Sequence, residues 1–222
     1  LIKLEQFIVP FQTGEFDPIK NIVRPTKKII GMKELFYQFA GRFIKQLQDT
    51  VDDGVMTIMI DTGTLLYDVT CQGYLQELQE KQLSRWMADP KTAKLPFDEG
   101  TYREKLQPIE YREPYIRMRG FAYQAKAHNK HLVVTHHASD EYGLVPGPGG
   151  VLTKGRTGNR VMHGWTQWGD SADVVGHTYW DKVTRKPYFK VELAEVKELE
   201  GMEFEEPTYD KINSVIRMIR GE

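Results

Sequence analysis

Cysteine is nearly absent from this 222-residue chain: Cys71 stands alone, so no disulfide can form within it. A single thiol fits a reducing compartment. Cys71 follows an apolar run at the start of a helical pattern, where cysteine packs more often than it reacts. An apolar run of roughly 20 residues, the length that spans a bilayer, is also missing, and no secretory signal pattern is visible. No membrane contact is therefore expected, and the expected location is the cytoplasm. Neither sign of charge dominates: 30 Lys plus Arg face 31 Asp plus Glu, a formal net charge of −1. No overall basic field marks a nucleic-acid partner, so any such contact has to come from a local patch. What is present is ordinary for a globular protein, 40% hydrophobic and 27% charged residues, and the length suits one large α/β domain or two small ones.

The pattern along the chain alternates strand and helix. Leu1–Glu5 reads as a short strand ending on an acid. Residues 10–30, broken by Pro10, Pro18 and Pro25, read as a loop with one extended piece at Lys27–Ile30. From Met32 to Asp49, the residues Leu35, Phe36, Phe39, Phe43, Ile44 and Leu47 recur at helical spacing. Val55–Ile60 is a short apolar run bounded by Gly54 and Asp61, the look of a parallel strand buried on both faces. Thr64 to about Met87 is helical, with Glu77 and Glu80 on its solvent side. Residues 88–108 read as a polar, solvated insert, Tyr111–His128 as a helix and Lys130–Thr135 as the next buried strand. Residues 143–169 read as a glycine-rich loop. Asp173–Trp180 and Tyr188–Ala194 form a hairpin across the turn at Asp181–Pro187. Val196–Leu199 is a further short strand, and Tyr209–Met218 a closing helix. The expected fold is α/β: one core over residues 1–222, a mostly parallel sheet flanked by helices, with an antiparallel hairpin near its C-terminal end.

In open α/β sheets, ligands bind beyond the C-terminal ends of the strands. The strand that stops on Asp61 is followed by the hydroxyls of Thr62 and Thr64. That suits a carboxylate holding Mg²⁺ through water while the metal bridges nucleotide phosphates. It equally suits a helix cap, for which Asp and Thr are good residues. The next strand runs out at Thr135-His136-His137, where a polar side chain beside a neighbouring acid fits a sensor of a terminal phosphate. Zinc would need further ligands, and His128, His131, His163 and His177 fall at no recognisable spacing.

The order Leu1-Ile-Lys-Leu-Glu5, then Met56-Thr-Ile-Met-Ile-Asp61-Thr-Gly-Thr-Leu-Leu-Tyr67, then His131-Leu-Val-Val-Thr-His-His137, then a glycine-rich loop, resembles the RecA-like ATPases of bacteriophages. These are relatives of single-strand-annealing recombinases. The tail resembles them too, with Asp-Val-Val-Gly-His-Thr-Tyr-Trp180, Lys-Pro-Tyr-Phe-Lys-Val191, Gly201-Met-Glu-Phe204 and Pro207-Thr-Tyr-Asp210. The resemblance spans nearly the whole chain. It implies a RecA-like P-loop NTPase core that uses ATP and Mg²⁺ and acts on single-stranded DNA as a self-associated ring or filament in a bacterial host's cytoplasm. By position, it implies that Glu5 activates the attacking water and that Asp61 holds the magnesium through water. His137 would sense the γ-phosphate, with Thr62 and His136 also at the nucleotide. The glycine-rich loop would touch DNA or a neighbouring subunit.

What such an enzyme also needs is Gly-x-x-x-x-Gly-Lys-Ser/Thr before the strand that ends at Glu5. The expectation is that this loop precedes Leu1, the core being truncated at its N-terminus, or stands in another chain. Gly150-Val-Leu-Thr-Lys-Gly155-Arg156-Thr157 has the spacing with Arg for Lys, but it follows Pro-Gly-Pro-Gly instead of a strand. Gly158 and Asn159 would also interrupt the helix whose N-terminus should hold the phosphates. In the same loop, Lys154, Arg156 and Arg160 sit among glycines that let backbone approach an anion. Trp165 and Trp168 would either stack on bases or pack onto the sheet. An alternative role for Lys154 or Arg156 is that of a finger in a neighbour's nucleotide site. Two other classes stay open: a homologue that binds DNA or a partner without hydrolysis, and a metal-dependent nuclease using Glu5, Asp61, Asp140 and the histidines.

Overall fold

A computed structural model describes residues 4–10, 14–17, 19, 22–25, 27–53, 57–147 and 150–221. The chain divides into two compact units, Leu1–Trp165 and Thr166–Glu222. In the first, β1 (Gly14–Asp17) and β2 (Ile22–Pro25) form a small antiparallel pair. After them come α1 (Met32–Asp53), β3 (Thr57–Ile60), α2 (Gly63–Ala88), α3 (Arg112–Ala127) and β4 (His131–Val134). A long antiparallel hairpin follows, made of β5 (Ala138–Pro146) and β6 (Leu152–Met162). The second unit holds β7 (Val174–Trp180), β8 (Pro187–Ala194), β9 (Glu203–Glu205) and α4 (Tyr209–Arg220).

The chain is α/β, as its alternation implies, but the sheet is not mostly parallel. Among the described residues only β3 and β4 pair in parallel, and the other sheets are antiparallel. The β3–β4 pair is buried on one face only: Ile60 is buried, whereas the register partners Met59 and Val133 are 61% and 46% exposed. A continuous apolar run reads alike whether one face or two are covered, so the pattern overstated the burial.

Other expectations shift as well. Leu1–Lys3 lie outside the described residues, and Leu4 and Glu5 are irregular, so Glu5 ends no described strand. Lys27–Ile30 is not a strand. Within residues 143–169, expected as a loop, the end of β5 and all of β6 are strand. Their glycines had hidden a two-residue alternation. The insert at 88–108 is not wholly solvated, since Tyr102 and Leu106 are buried and Phe97 packs between Trp86 and Tyr102.

The core of the first unit lies between α1, α2 and α3. Helical spacing turns Phe36, Phe39 and Phe43 of α1 toward Phe121 of α3, with ring centroids 6.3, 5.4 and 5.0 Å apart. Two buried glutamines of α2 tie in the chain around it. Gln76 Oε1 accepts the Met32 and Lys33 amides at 2.9 and 3.0 Å, satisfying first-turn N–H groups of α1 that have no partner within the helix. Gln79 accepts from the Ile29 amide and donates to the Lys27 and Arg103 carbonyls.

Arg117 of α3 locks the three helices together. Its guanidinium lies 5.1 to 5.7 Å from the Phe36, Tyr37 and Tyr74 rings. It donates twice to Glu77, at 2.9 and 3.0 Å, and once to Glu113 at 3.1 Å. Glu77, expected on the solvent side of α2, is therefore a largely buried partner. Burial alone would raise its carboxyl, but Arg117 outweighs that and holds it below the usual carboxylate range.

In the second unit, β8 is central in the order β7-β8-β9. On one side α4 lays Ile212, Val215, Ile216 and Ile219 against Val191, Ala194, Leu199 and Phe204. Val196–Leu199, expected as a strand, ends instead in a short 3-10 turn at Lys197–Leu199.

Replacing Arg117 with Ala strands the Glu77 charge among the helices and is expected to cost about 3–5 kcal/mol of unfolding free energy. Arg117→Lys keeps the charge but loses the fork and should fall between the two. Urea titrations of the three proteins check this, and a wild-type midpoint in Arg117→Ala would refute it.

Candidate functional site

The chemistry-bearing residues gather where β3 and β4 end. Ile60 pairs with Val134, and the Thr135 amide donates to the Ile60 carbonyl at 3.0 Å. Asp61 and Thr135 therefore leave the sheet side by side, and the Thr135 hydroxyl donates to Asp61 Oδ1. The Asp61–Thr62 peptide is cis. The Gly63 amide then returns to the Thr135 carbonyl at 2.8 Å.

The two readings of Asp61 separate here. The N-cap of α2 is Thr62, whose hydroxyl accepts the Leu65 amide at 3.2 Å. The Asp61 carboxylate is thus not the cap; it stands exposed at the strand end. Thr62, assigned to the nucleotide from sequence, has its acceptor used by the helix, and its O–H is what remains for a ligand.

The two histidines part in the same way. His137 exposes its side chain past the end of β4. His136 turns inward, and a Cβ added to Gly63 would fall 2.4 Å from its Nε2, so only glycine fits there. His136 Nδ1 lies 3.1 Å from the His163 carbonyl. A carbonyl only accepts, so Nδ1 carries the proton. Burial pushes the His136 imidazole below its ordinary value, with the neighbouring His137 and His163 adding to the shift, while the His163 carbonyl opposes it. His136 is therefore a neutral packing group in this fold, placed behind the edge where a nucleotide contact had been expected.

Sequence reasoning placed the Thr64 hydroxyl after Asp61 but missed its meeting with His163. The Thr64 hydroxyl donates to the His163 carbonyl at 2.9 Å and accepts the His137 amide at 3.0 Å. No local signal joins residues 64 and 163, because their meeting depends on where the β5–β6 hairpin returns. Glu5 is not brought to this edge by any hydrogen bond or ion pair among the described residues; it faces Arg42 of α1 at 3.9 Å.

On the hairpin, the register places Arg160 opposite Asp140, Arg156 opposite Tyr142 and Lys154 opposite Leu144. Arg156 and Arg160 both reach Asp140, at 3.1 and 3.6 Å, which sets them on one face. Strand alternation puts Lys154 there too. Three exposed cations thus share a face with one carboxylate and with Tyr142, which is 58% exposed and accepts from Arg156 Nε at 3.2 Å.

The aromatic on this face is Tyr142. Trp165 and Trp168, considered for base stacking, are 1% and 6% exposed and are packed away. The Gly150–Thr157 spacing falls largely in β6, not on a loop entering a helix.

Among the described residues no three His, Cys, Asp or Glu side chains come together as a metal cage. Those residues thus offer zinc or a multi-acid nuclease centre no donor set, while a single exposed carboxylate such as Asp61 still fits magnesium held through water. Cys71 is half-buried, its thiol pushed up to about 11 by burial, as a packing cysteine would be. Among the described residues no helix is long and apolar enough to cross a membrane. Comparison of the chain with protein-family models, with curated proteins and with solved structures finds no match.

The unfolded chain protonates His136 near pH 6.5, whereas the folded chain resists protonation until lower pH. The unfolded state therefore binds more protons in that window, and this contribution to stability falls as pH drops below about 6.5. His136→Asn, which keeps a donor near the Nδ1 position, should flatten the stability–pH curve between pH 6.5 and 5. Urea unfolding across that range checks it; an unchanged slope would count against the buried neutral imidazole.

Proposed function

We propose that this chain carries part of a RecA-like nucleotide-hydrolysing core that binds ATP with magnesium and acts on single-stranded DNA. The observation that carries the reading is the freed Asp61 carboxylate: Thr62 takes the helix cap, and the acid stands exposed at the C-terminal end of a parallel strand beside Thr135. On this reading Asp61 holds Mg²⁺ through water, and the ion supplies charge neutralisation at the phosphates. The exposed His137 reaches the terminal phosphate from the adjacent strand. The Thr62 O–H is the remaining donor on the residue that follows the acid. Glu5 would activate the attacking water, a role that rests on the resemblance alone. Residues 1–222 contain no acceptable phosphate loop, so the reading requires one from outside them.

The partner half of the proposal rests on the hairpin. Lys154, Arg156 and Arg160 carry charge for a phosphate backbone, and Tyr142 offers a ring to a base. Self-association as a ring or filament, with Lys154 or Arg156 reaching a neighbour's nucleotide, belongs to the same reading.

In the full chain, Asp61→Asn is expected to lower magnesium-dependent ATP hydrolysis by about 10²-fold or more, and Glu5→Gln to do likewise, both followed by phosphate release with and without single-stranded DNA. Unchanged rates in both would sink the hydrolase reading and leave a binding protein. Replacing Lys154, Arg156 and Arg160 together with Ala should weaken oligonucleotide binding. It should also reduce the log–log salt slope by about 2, at roughly 0.7 for each phosphate no longer neutralised, as read by fluorescence anisotropy. An unchanged slope would place DNA elsewhere.

A further inference from the structure

The outer face of α3 carries two columns of side chains that neither the Asp61 edge nor the hairpin uses. Ile109, in the 3-10 turn Pro108–Tyr111 that leads into α3, is 81% exposed, Ile116 is 51% exposed and Tyr123 is 57% exposed. These residues stand seven apart. Arg112, Arg119 and Lys126 repeat at the same interval, and each is exposed. Two turns of helix take about seven residues, so each column runs along the axis in steps of roughly 10.5 Å. The opposite face of α3, with Met118, Phe121, Ala122 and Ala125, is buried. The outer face is thus a ridge of apolar side chains beside a ridge of cations.

At the start of α3 the ridge dips into a hollow of about 420 Å³ lined by Tyr74, Ile109, Glu110, Arg112, Glu113 and Ile116. Both acids there are already matched. Glu110 takes a two-pronged bond from Arg103, at 2.7 and 2.5 Å, and accepts the Gln107 amide at 2.7 Å. The Arg103 bond foremost holds its carboxyl below the usual carboxylate range. Glu113 accepts from Arg117 Nε at 3.1 Å. The Arg112 guanidinium makes no hydrogen bond or ion pair among the described residues. The charge left uncompensated at the hollow is therefore positive, and the wall beside it is aliphatic. A nucleic acid fits poorly, because two carboxylates repel its phosphates and Ile109 and Ile116 give a base no ring to stack on. What complements this face is a bulky apolar side chain next to a carboxylate, repeated every seven residues. We propose that the α3 face docks an acidic amphipathic helix of a partner protein. Its apolar side chains seat against Ile109, Ile116 and Tyr123, and its carboxylates pair with Arg112, Arg119 and Lys126. A second copy of this chain is a poorer occupant, because α3 against α3 sets arginines among arginines. The inference stands independently of the Asp61 reading.

The test uses a fluorescein-labelled helical peptide about 21 residues long, with Leu at every seventh position. Glu stands at the third and fourth positions after each Leu, to serve either direction of docking, with Ala or Gln elsewhere. Fluorescence anisotropy with the full chain should show saturable binding. Ile109→Ser with Ile116→Ser should weaken it by at least about tenfold, and Arg112→Glu with Arg119→Glu should do so by a similar factor of about ten. A peptide with Lys in place of Glu should not bind wild type but should bind the Arg112→Glu, Arg119→Glu protein, a rescue that a merely sticky surface would not give. These side chains are exposed, so urea midpoints should stay near that of wild type. Should a double variant not fold, Ile109→Ser and Arg112→Glu alone are read in the same way. Absence of saturable binding, or binding that charge reversal does not redirect to the Lys peptide, overturns the proposal. Three other results overturn it by giving the face another occupant, each abolished by the same variants: self-association in sedimentation, binding to vesicles of phosphatidylserine and phosphatidylcholine, or binding to a single-stranded oligonucleotide.

Discussion

Parallel pairing of β3 with β4 sets the place of every polar group at this end of the first unit. With Ile60 opposite Val134, the next residues on both strands leave the sheet together, and Asp61 meets Thr135 without any further device. A slip of one residue would turn the buried Ile60 outward and send the acid to the other face. From the same register follow the Gly63 return, the capping role of Thr62 and the position of His136 against Gly63. The entry to the long hairpin is fixed there as well.

The helix that follows Asp61, α2, packs against α1 and α3. Its contribution is polar as much as apolar. Gln76 satisfies the start of α1, Gln79 ties down two flanking segments, and Glu77 receives the Arg117 fork. Each of these groups would be costly to bury alone, and each is buried with its partners supplied by a distant part of the chain. The helix that carries Thr64 is thus anchored at its far turns.

Helices were the most legible elements, because periodic residues such as Leu35, Phe36, Phe43 and Leu47 announce a buried stripe over several turns. The strands at β3, β4, β7 and β8 were legible for a related reason, being short apolar or alternating runs between turn residues. The hairpin was not. Gly143, Gly147, Gly150, Gly155 and Gly158 signal turns, yet Gly143 and Gly155 lie opposite one another within the ladder, where their bare backbones pair. Glu77 was misjudged because its helical position is polar in pattern, and only the arrival of Arg117 makes that position interior. The tryptophans and the insert at 88–108 show the same limit: burial of Trp165, Tyr102 and Leu106 depends on neighbours far away in sequence.

By itself the sequence determined that an acid ends an apolar strand at Asp61 and that a histidine pair ends the next. It also determined that Lys154, Arg156 and Arg160 sit close together in one glycine-rich segment, though as a loop and not as a strand. These are local facts, set by composition and by where apolar runs stop. Only the tertiary structure decided that Thr62 caps α2 in place of Asp61, that His136 points inward while His137 points out, and that Thr64 bridges the two ends of the hairpin. The Thr62 cap is a bond over three residues, but the Thr64 bridge turns on hydrogen bonds between residues 73 and 99 apart. Which donor meets which acceptor across such distances is settled by packing and register, and no local pattern encodes it.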